Sequence, residues 1–237
     1  MEQTTAVMKS IARIHSDFPA KFGIPRQSGL VEELQALVVM EPEFRVADAF
    51  RGLEGFSHIW LIWQFSGALR NTWSPTVRPP RLGGNQRVGV FASRSPFRPN
   101  SMGLSCVRLL GVEYREDLGP VLRVAGADLM DGTPIFDIKP YVPLADCRPE
   151  AVGGFSDRFG SYHLRVEMEE RWKEKVPPEK LDALLGVLGQ DPRPSYQKDP
   201  ERVYGMEFAG MAIKFRVNED VLTVCGVEMT GENQSHR

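Results

Sequence analysis

Arg70, Arg78, Arg81, Arg87, Arg94, Arg98 and Arg108 all fall between Gly55 and Val112, a stretch without one aspartate, glutamate or lysine. A guanidinium is planar, permanently charged and able to fork onto two oxygens, so this stretch suits carboxylate or phosphate ligands. Within it, GVFASRSPFRPNSMGLS (Gly89 to Ser105) displays Arg94 and Arg98 around Ser95-Pro96 and Arg98-Pro99 steps. Proline fixes its own φ and disfavours helix at the residue before it, which predicts extended Ser95 and Arg98 in a stiff loop. Such a loop needs little ordering when a ligand binds. A rigid structural turn between two strands is the plainer alternative.

Three other polar stretches carry candidate chemistry. KFGIPRQSG offers Arg26 and Gln27 after Pro25. DLMDGTPIFDIKPY gathers Asp128, Asp131 and Asp137 with Lys139 and Tyr141. Carboxylates at a strand end can hold ribose hydroxyls or a cation, or take a proton. Asp131-Gly132 is equally an ordinary turn pair. FSHIWLIWQF sets His58 at the head of an aromatic strand, either as a hydrogen-bonded core group or as a ligand contact. Gly83-Gly84 in GGNQRVG is no dinucleotide fingerprint, because the spacing is wrong and it precedes a strand. No Ser-His-Asp or Cys-His grouping is legible. Cys106, Cys147 and Cys225 are scattered without a CxxC, and the histidines form no HExxH. Neither a disulfide framework nor a protein-bound metal is expected, a pattern that fits a reducing cytoplasm.

The elements that must position these residues are mainly strands. MKSIARI, LQALVVM, FSHIWLIWQF, RVGVFAS, LSCVRLLGV and VLRVAGADL are short apolar runs separated by turn-rich segments such as DLGP and DGTP. VADAFRGLEGF spaces Val46, Phe50 and Leu53 with helical period and predicts one short helix. Strands do not alternate with long helices, so a doubly wound sheet is disfavoured and a barrel or strongly curved sheet favoured. Leu144 to Gly160 reads as a linker, which divides the chain into a domain over 1–145 and a second over 160–237. The second is α+β: a strand in YHLRVEM, a helix in PPEKLDALLGVLGQ and a hairpin in MAIKFRV-NED-VLTVCGVEM. The 237 residues are 42% hydrophobic and 25% charged with a formal net charge of −2, which is globular and leaves the arginine stretch as a local positive surface. No apolar run approaches the roughly 18 residues needed to cross a bilayer, so no membrane is expected. MEQTTAVMKS lacks the pattern of a secretory signal.

IPRQSGLV, ADAFRGLEGFSHIWLIW, TVRPPRLGGNQRVGVFASRSPFRPNSMGLS, DLMDGTPIFDIKPY and DPRPSYQK together resemble the TrmO (YaeB-like) family over nearly the whole chain. Members are S-adenosylmethionine-dependent methyltransferases that modify N6 of threonylcarbamoyladenosine just 3′ of the tRNA anticodon. The resemblance implies a single-sheet β-barrel N-terminal domain that is not Rossmann, a small C-terminal domain, and a homodimer. It implies cofactor contacts at Pro25, Arg26, Gln27, His58, Ile59, Arg94, Leu104, Asp128, Leu129, Met130 and Asp131. Where members carry Pro-Asn-Pro-Ile-Gly, this chain has Pro99-Asn100-Ser101-Met102-Gly103, one backbone restraint fewer on the bend. On that reading Asp131 and Asp137 are candidate bases. Arg98, Arg81, Arg78, Tyr141 and Lys139 are candidate tRNA contacts. A regulator that senses a nucleotide-like effector through the same loops is the alternative. A structural dimerisation domain explains the composition but not the arginine loop.

Overall fold

The computed structural model describes residues 6–70, 72–79, 82, 86–159, 162–193, 197 and 199–231. Among them, the first part of the chain forms β1 (Ala12–His15), β2 (Gln35–Met40), β3 (His58–Gln64), β4 (Thr76–Val77), β5 (Val88–Gly89), β6 (Met102–Arg115), β7 (Gly119–Ala125) and β8 (Pro134–Pro140). Six of these close a barrel in the order β1-β2-β7-β6-β3-β8. The seam is short, with Ala12 opposite Ile135 and Arg13 opposite Pro134. Alternation explains the closure. In HIWLIWQ the side chains of Ile59, Leu61 and Trp63 are buried, while those between them are only partly so. Ile14, Val38, Ile59, Leu61, Leu122 and Ile135 fill the interior with no solvent exposure. β6 serves two neighbours, pairing with β3 from Met102 to Arg108 and with β7 from Arg108 to Arg115. A register shift between Leu109 and Gly111 bends it between the two.

Two expectations change. VADAFRGLEGF is not one helix but two 3-10 turns, Ala47–Phe50 and Leu53–Gly55. Gly52 between them has φ 86°, a left-handed backbone that a continuous helix cannot hold. RVGVFAS keeps only Val88–Gly89 as strand, paired with Thr76–Val77 in a two-stranded ribbon. Val90 is buried, and the chain turns there into a 3-10 segment, Val90–Ala92.

After α1 (Pro143–Asp146) come β9 (Arg165–Glu167), α2 (Glu170–Lys173), α3 (Pro178–Gly189), β10 (Tyr204–Phe208), β11 (Met211–Asn218) and β12 (Val221–Met229). The sheet order is β10-β11-β12-β9, with β9 parallel to β12. α3 begins at a proline, whose missing N–H costs nothing there, and buries Ala183, Leu184, Val187 and Leu188. The core of this domain is shared. Phe18, Val31 and Leu34, from the loop between β1 and β2, pack with Leu184, Phe208 and Phe215. Phe18 meets Phe208 edge-on at 5.5 Å, and Asp17 pairs with Lys180 at 2.7 Å. The 16–34 loop is therefore clamped by the second domain. Among the described residues no helix is long and apolar enough to cross a membrane.

Candidate functional site

A cleft of about 1090 Å3 opens where β3 ends and β6 begins. Its lining includes Pro25–Gln27, the end of β3 with Phe65–Ala68, the β4–β5 ribbon with Arg78 and Arg87, the arginine loop Ser93–Arg98, the start of β6, and Asp128 with Met130 after β7. The arginine loop is stitched by serines as well as stiffened by prolines. Ser95 N–H donates to Ser93 Oγ at 3.3 Å, Phe97 N–H to Ser95 Oγ at 3.3 Å, and Ser101 Oγ to Pro96 O at 2.9 Å. The last bond comes from Ser101, where the resemblance implies a proline, so a side-chain tie holds the bend there. Arg98 donates back to Ser93 O at 3.2 Å, and Arg70 lies over the Phe97 ring at 3.6 Å.

From Arg94 a line of contacts runs to the second domain. Its guanidinium donates to Gln27 Oε1. Gln27 Nε2 donates to Arg26 O at 2.6 Å, and Arg26 Nη2 to Asp191 O at 3.5 Å. Asp191 is itself held by Arg193 through bonds of 2.8 and 3.0 Å, which accounts for part of the DPRPSY motif. Gly23, at φ 99°, passes so close to β10 that a Cβ would lie 2.6 Å from Met206 Cε. The second domain thus braces the Pro25–Gln27 loop from behind.

Asp128 is the only carboxylate among the described residues lining the cleft, in the company of Arg26, Arg70, Arg78, Arg87, Arg94 and Arg98. Ser105 Oγ donates to its Oδ1 at 2.6 Å, and Trp63 Nε1 donates to Ser105 Oγ at 3.0 Å. Burial pushes the Asp128 carboxyl above the usual range. The Ser105 hydrogen bond, the Arg94 charge and backbone hydrogen bonding at Ser28 pull against that shift. Gly103 makes this relay possible, because a Cβ there would sit 2.3 Å from the Trp63 indole.

Of the residues singled out in the sequence, the cleft brings together Pro25, Arg26, Gln27, Arg70, Arg78, Arg87, Arg94, Arg98, Leu104, Asp128 and Met130. The rest lie elsewhere in the chain. His58 and Ile59 occupy the start of β3, about 20 Å from Gln64 at roughly 3.3 Å per residue. His58 Nδ1 is 2.9 Å from Ser57 Oγ, and Ile59 is buried in the barrel. Tyr141 joins that far end, its N–H donating to His58 O at 3.0 Å, with Lys139 opposite Trp60. Leu129 is buried in the barrel core. Asp131 accepts Ser16 N–H at 3.1 Å and stands 3.4 Å from His15 Nδ1, bracing the end of β1. Asp137 pairs with Lys139 at 2.9 Å on β8. Arg81 lies outside the described residues. Sequence reasoning missed Trp63, Ser105 and the Gln64–Gly67 segment. Ser105 did leave a signal: alternation in GLSCVRL puts a serine on the buried face with Gly103 and Val107. Among the described residues no group of three or more His, Cys, Asp or Glu side chains is placed to hold a metal ion.

Comparison with known proteins gives the family. The model of the tRNA-methyltransferase O N-terminal domain matches residues 13–147, and that of the TrmO C-terminal domain matches residues 162–230. The Escherichia coli (strain K12) protein named tRNA (adenine(37)-N6)-methyltransferase is 39% identical over 93% of this chain and 97% of its own length. A Pseudomonas aeruginosa (strain PAO1) protein named putative S-adenosylmethionine-dependent methyltransferase RcsF is 41% identical over 85% of this chain and 88% of its own. The crystal structure of TrmO from Pseudomonas aeruginosa superposes with a TM-score of 0.76 at 33% identity, covering 95% of this chain and all (100%) of that one. With its closed barrel, its clamped loop and both domains matched, the chain belongs to the tRNA-methyltransferase O family.

Proposed function

We propose that this chain transfers a methyl group from S-adenosylmethionine to N6 of the adenosine just 3′ of the tRNA anticodon, and that its cleft is the active site. The observation that carries the reading is one part-buried carboxylate, Asp128, fixed by Ser105 in a cleft whose other charged side chains, among the described residues, are six arginines and Lys21. The residues present fit the cofactor. Asp128 suits a cationic centre or ribose hydroxyls, Arg94 and Arg26 suit a carboxylate, and Trp63, Phe65, Leu104 and Met130 offer apolar surface to a ring. S-adenosylmethionine supplies an electrophilic methyl group on a positively charged sulfur.

The chain's own residues then orient the acceptor and manage its proton. An amide-like N6–H is a poor nucleophile until that proton leaves. The carboxylate of Asp128 takes it, and burial that raises its pKa makes it a stronger base than an exposed carboxylate. The proton role falls to Asp128 rather than to Asp131 or Asp137 because the latter two do not line the cleft. Arg98 and Arg78 face the RNA side, where phosphates gather charge-assisted hydrogen bonds. The finer substrate is threonylcarbamoyladenosine, whose own carboxylate suits the same guanidinium groups. A homodimer and a cytoplasmic location belong to this reading, and sedimentation tests the first.

Labelled S-adenosylmethionine and tRNA carrying threonylcarbamoyladenosine decide the matter. Wild type is expected to transfer label, and Arg94→Ala to lose transfer because Gln27 loses its partner. tRNA affinity should fall steeply with salt. Cofactor binding without transfer would favour the effector-sensing alternative.

A further inference from the structure

Two aromatic side chains stand in solvent on the strand ribbon whose Ser74, Thr76 and Val77 line the cleft. Trp73 is 50% exposed and Phe91 73%. Their rings stack with centroids 6.2 Å apart and planes 24° from parallel. The β4–β5 ribbon holds them there. Thr76 pairs with Gly89, Val90 N–H donates to Pro75 O at 3.0 Å, and the ladder runs out just before the two rings. Ser74 N–H donates to Phe97 O at 3.0 Å, which fastens the ribbon to the arginine loop. Rings left in water forgo the burial that stabilises aromatics elsewhere in the fold.

The surroundings select the occupant. Arg78 and Arg87 on the ribbon and Arg70 before it line the adjoining cleft. No acid occurs from Gly55 to Val112 to neutralise them. A flat apolar face flanked by guanidinium groups suits an unpaired nucleobase and its phosphates, because every base has a π-face. A second copy docked face to face across a two-fold axis would bring the same positive charge against itself.

We propose that Trp73 and Phe91 form a stacking platform for an unpaired anticodon-loop base next to the adenosine that is methylated, with Arg78 and Arg87 on the adjoining phosphates. The platform rests on the proposed function for its substrate. It binds through shape and π-surface, and so it positions RNA without touching the methyl donor.

The test compares wild type with Phe91→Ala, Trp73→Ala and the double variant, using tRNA carrying threonylcarbamoyladenosine. Each truncation is expected to raise the tRNA Kd and KM roughly tenfold, the loss typical of one base–aromatic stack. The kcat at saturating tRNA, the S-adenosylmethionine Kd and the sedimentation coefficient should hold. The slope of log Kd against log salt should also hold, since no phosphate contact is removed. Phe91→Trp, which keeps an aromatic face at this position, should retain wild-type affinity. An unchanged tRNA Kd in the double variant overturns the platform. So does a change that appears in cofactor affinity or in oligomeric state instead. If wild type binds this tRNA through the two rings yet transfers no methyl group, the platform stands and the proposed reaction fails.

Discussion

Asp128→Asn is the most incisive perturbation of the proposed site. Asparagine keeps the shape of the side chain and an oxygen to accept from Ser105, so the relay to Trp63 survives. What it loses is the ability to take a proton. Removing a positioned general base typically costs about 10²- to 10⁴-fold, which is about 3–5 kcal/mol of barrier. Stability should move the other way. Burial raises the Asp128 carboxyl in the folded state. Its contribution to stability is therefore fully present below the unfolded carboxyl pKa and is lost as pH rises through the higher folded value. Asp128→Asn escapes that loss, so its Tm should equal or exceed wild type at neutral pH, and the advantage should shrink on acidification. The assay is single-turnover methyl transfer at saturating tRNA and cofactor across pH, with thermal melts alongside. Wild-type rate should rise with pH along a limb lying above the ordinary carboxylate range, and Asp128→Asn should show no such limb. A variant rate within about tenfold of wild type at saturating cofactor, far short of what losing a base costs, refutes the proton role.

Two further substitutions probe the same relay. Ser105→Ala removes the donor that holds the Asp128 carboxyl down, so the acidic limb of the rate profile should move to still higher pH. It also strands the buried Trp63 N–H, and a loss of about 1–3 kcal/mol in a denaturant melt is expected, larger at neutral than at acidic pH. An unmoved limb would detach Ser105 from the titration. Gly103→Ala places a Cβ 2.3 Å from the Trp63 indole. Displacing that ring should cost about 1–3 kcal/mol, the usual scale of overpacking, and shift tryptophan fluorescence. Wild-type stability with unchanged emission would show that the indole has room to spare.

Period-two alternation in FSHIWLIWQF and LSCVRLLGV was enough to read a β-rich first domain, and the residues without alternation are where reading failed. VADAFRGLEGF has helical spacing, yet Gly52 in the left-handed region breaks it into two turns. RVGVFAS looks like a strand, yet Val90 leaves the ribbon to be buried. Proximity in sequence and proximity in space also part within one copy of the chain. DLMDGTPIFDIKPY holds three acids, but a turn and a strand carry Asp131 and Asp137 away from the cleft that Asp128 lines. His58 and Gln64 belong to one strand and differ by its whole length.

The sequence by itself determined the β class, the acid-free arginine surface and a stiff loop bearing Arg94 and Arg98. Those properties follow from local sterics, alternation and charge, which need no knowledge of distant residues. Only the tertiary structure decided that Asp128 meets Ser105 and Trp63, and that the Pro25–Gln27 loop is clamped by the second domain. It likewise decided that Trp73 and Phe91 stack on each other. These pairings are set by barrel closure and by a core shared between domains. A carboxyl's desolvation and a loop's bracing depend on groups brought together from far along the chain, and no local pattern encodes that.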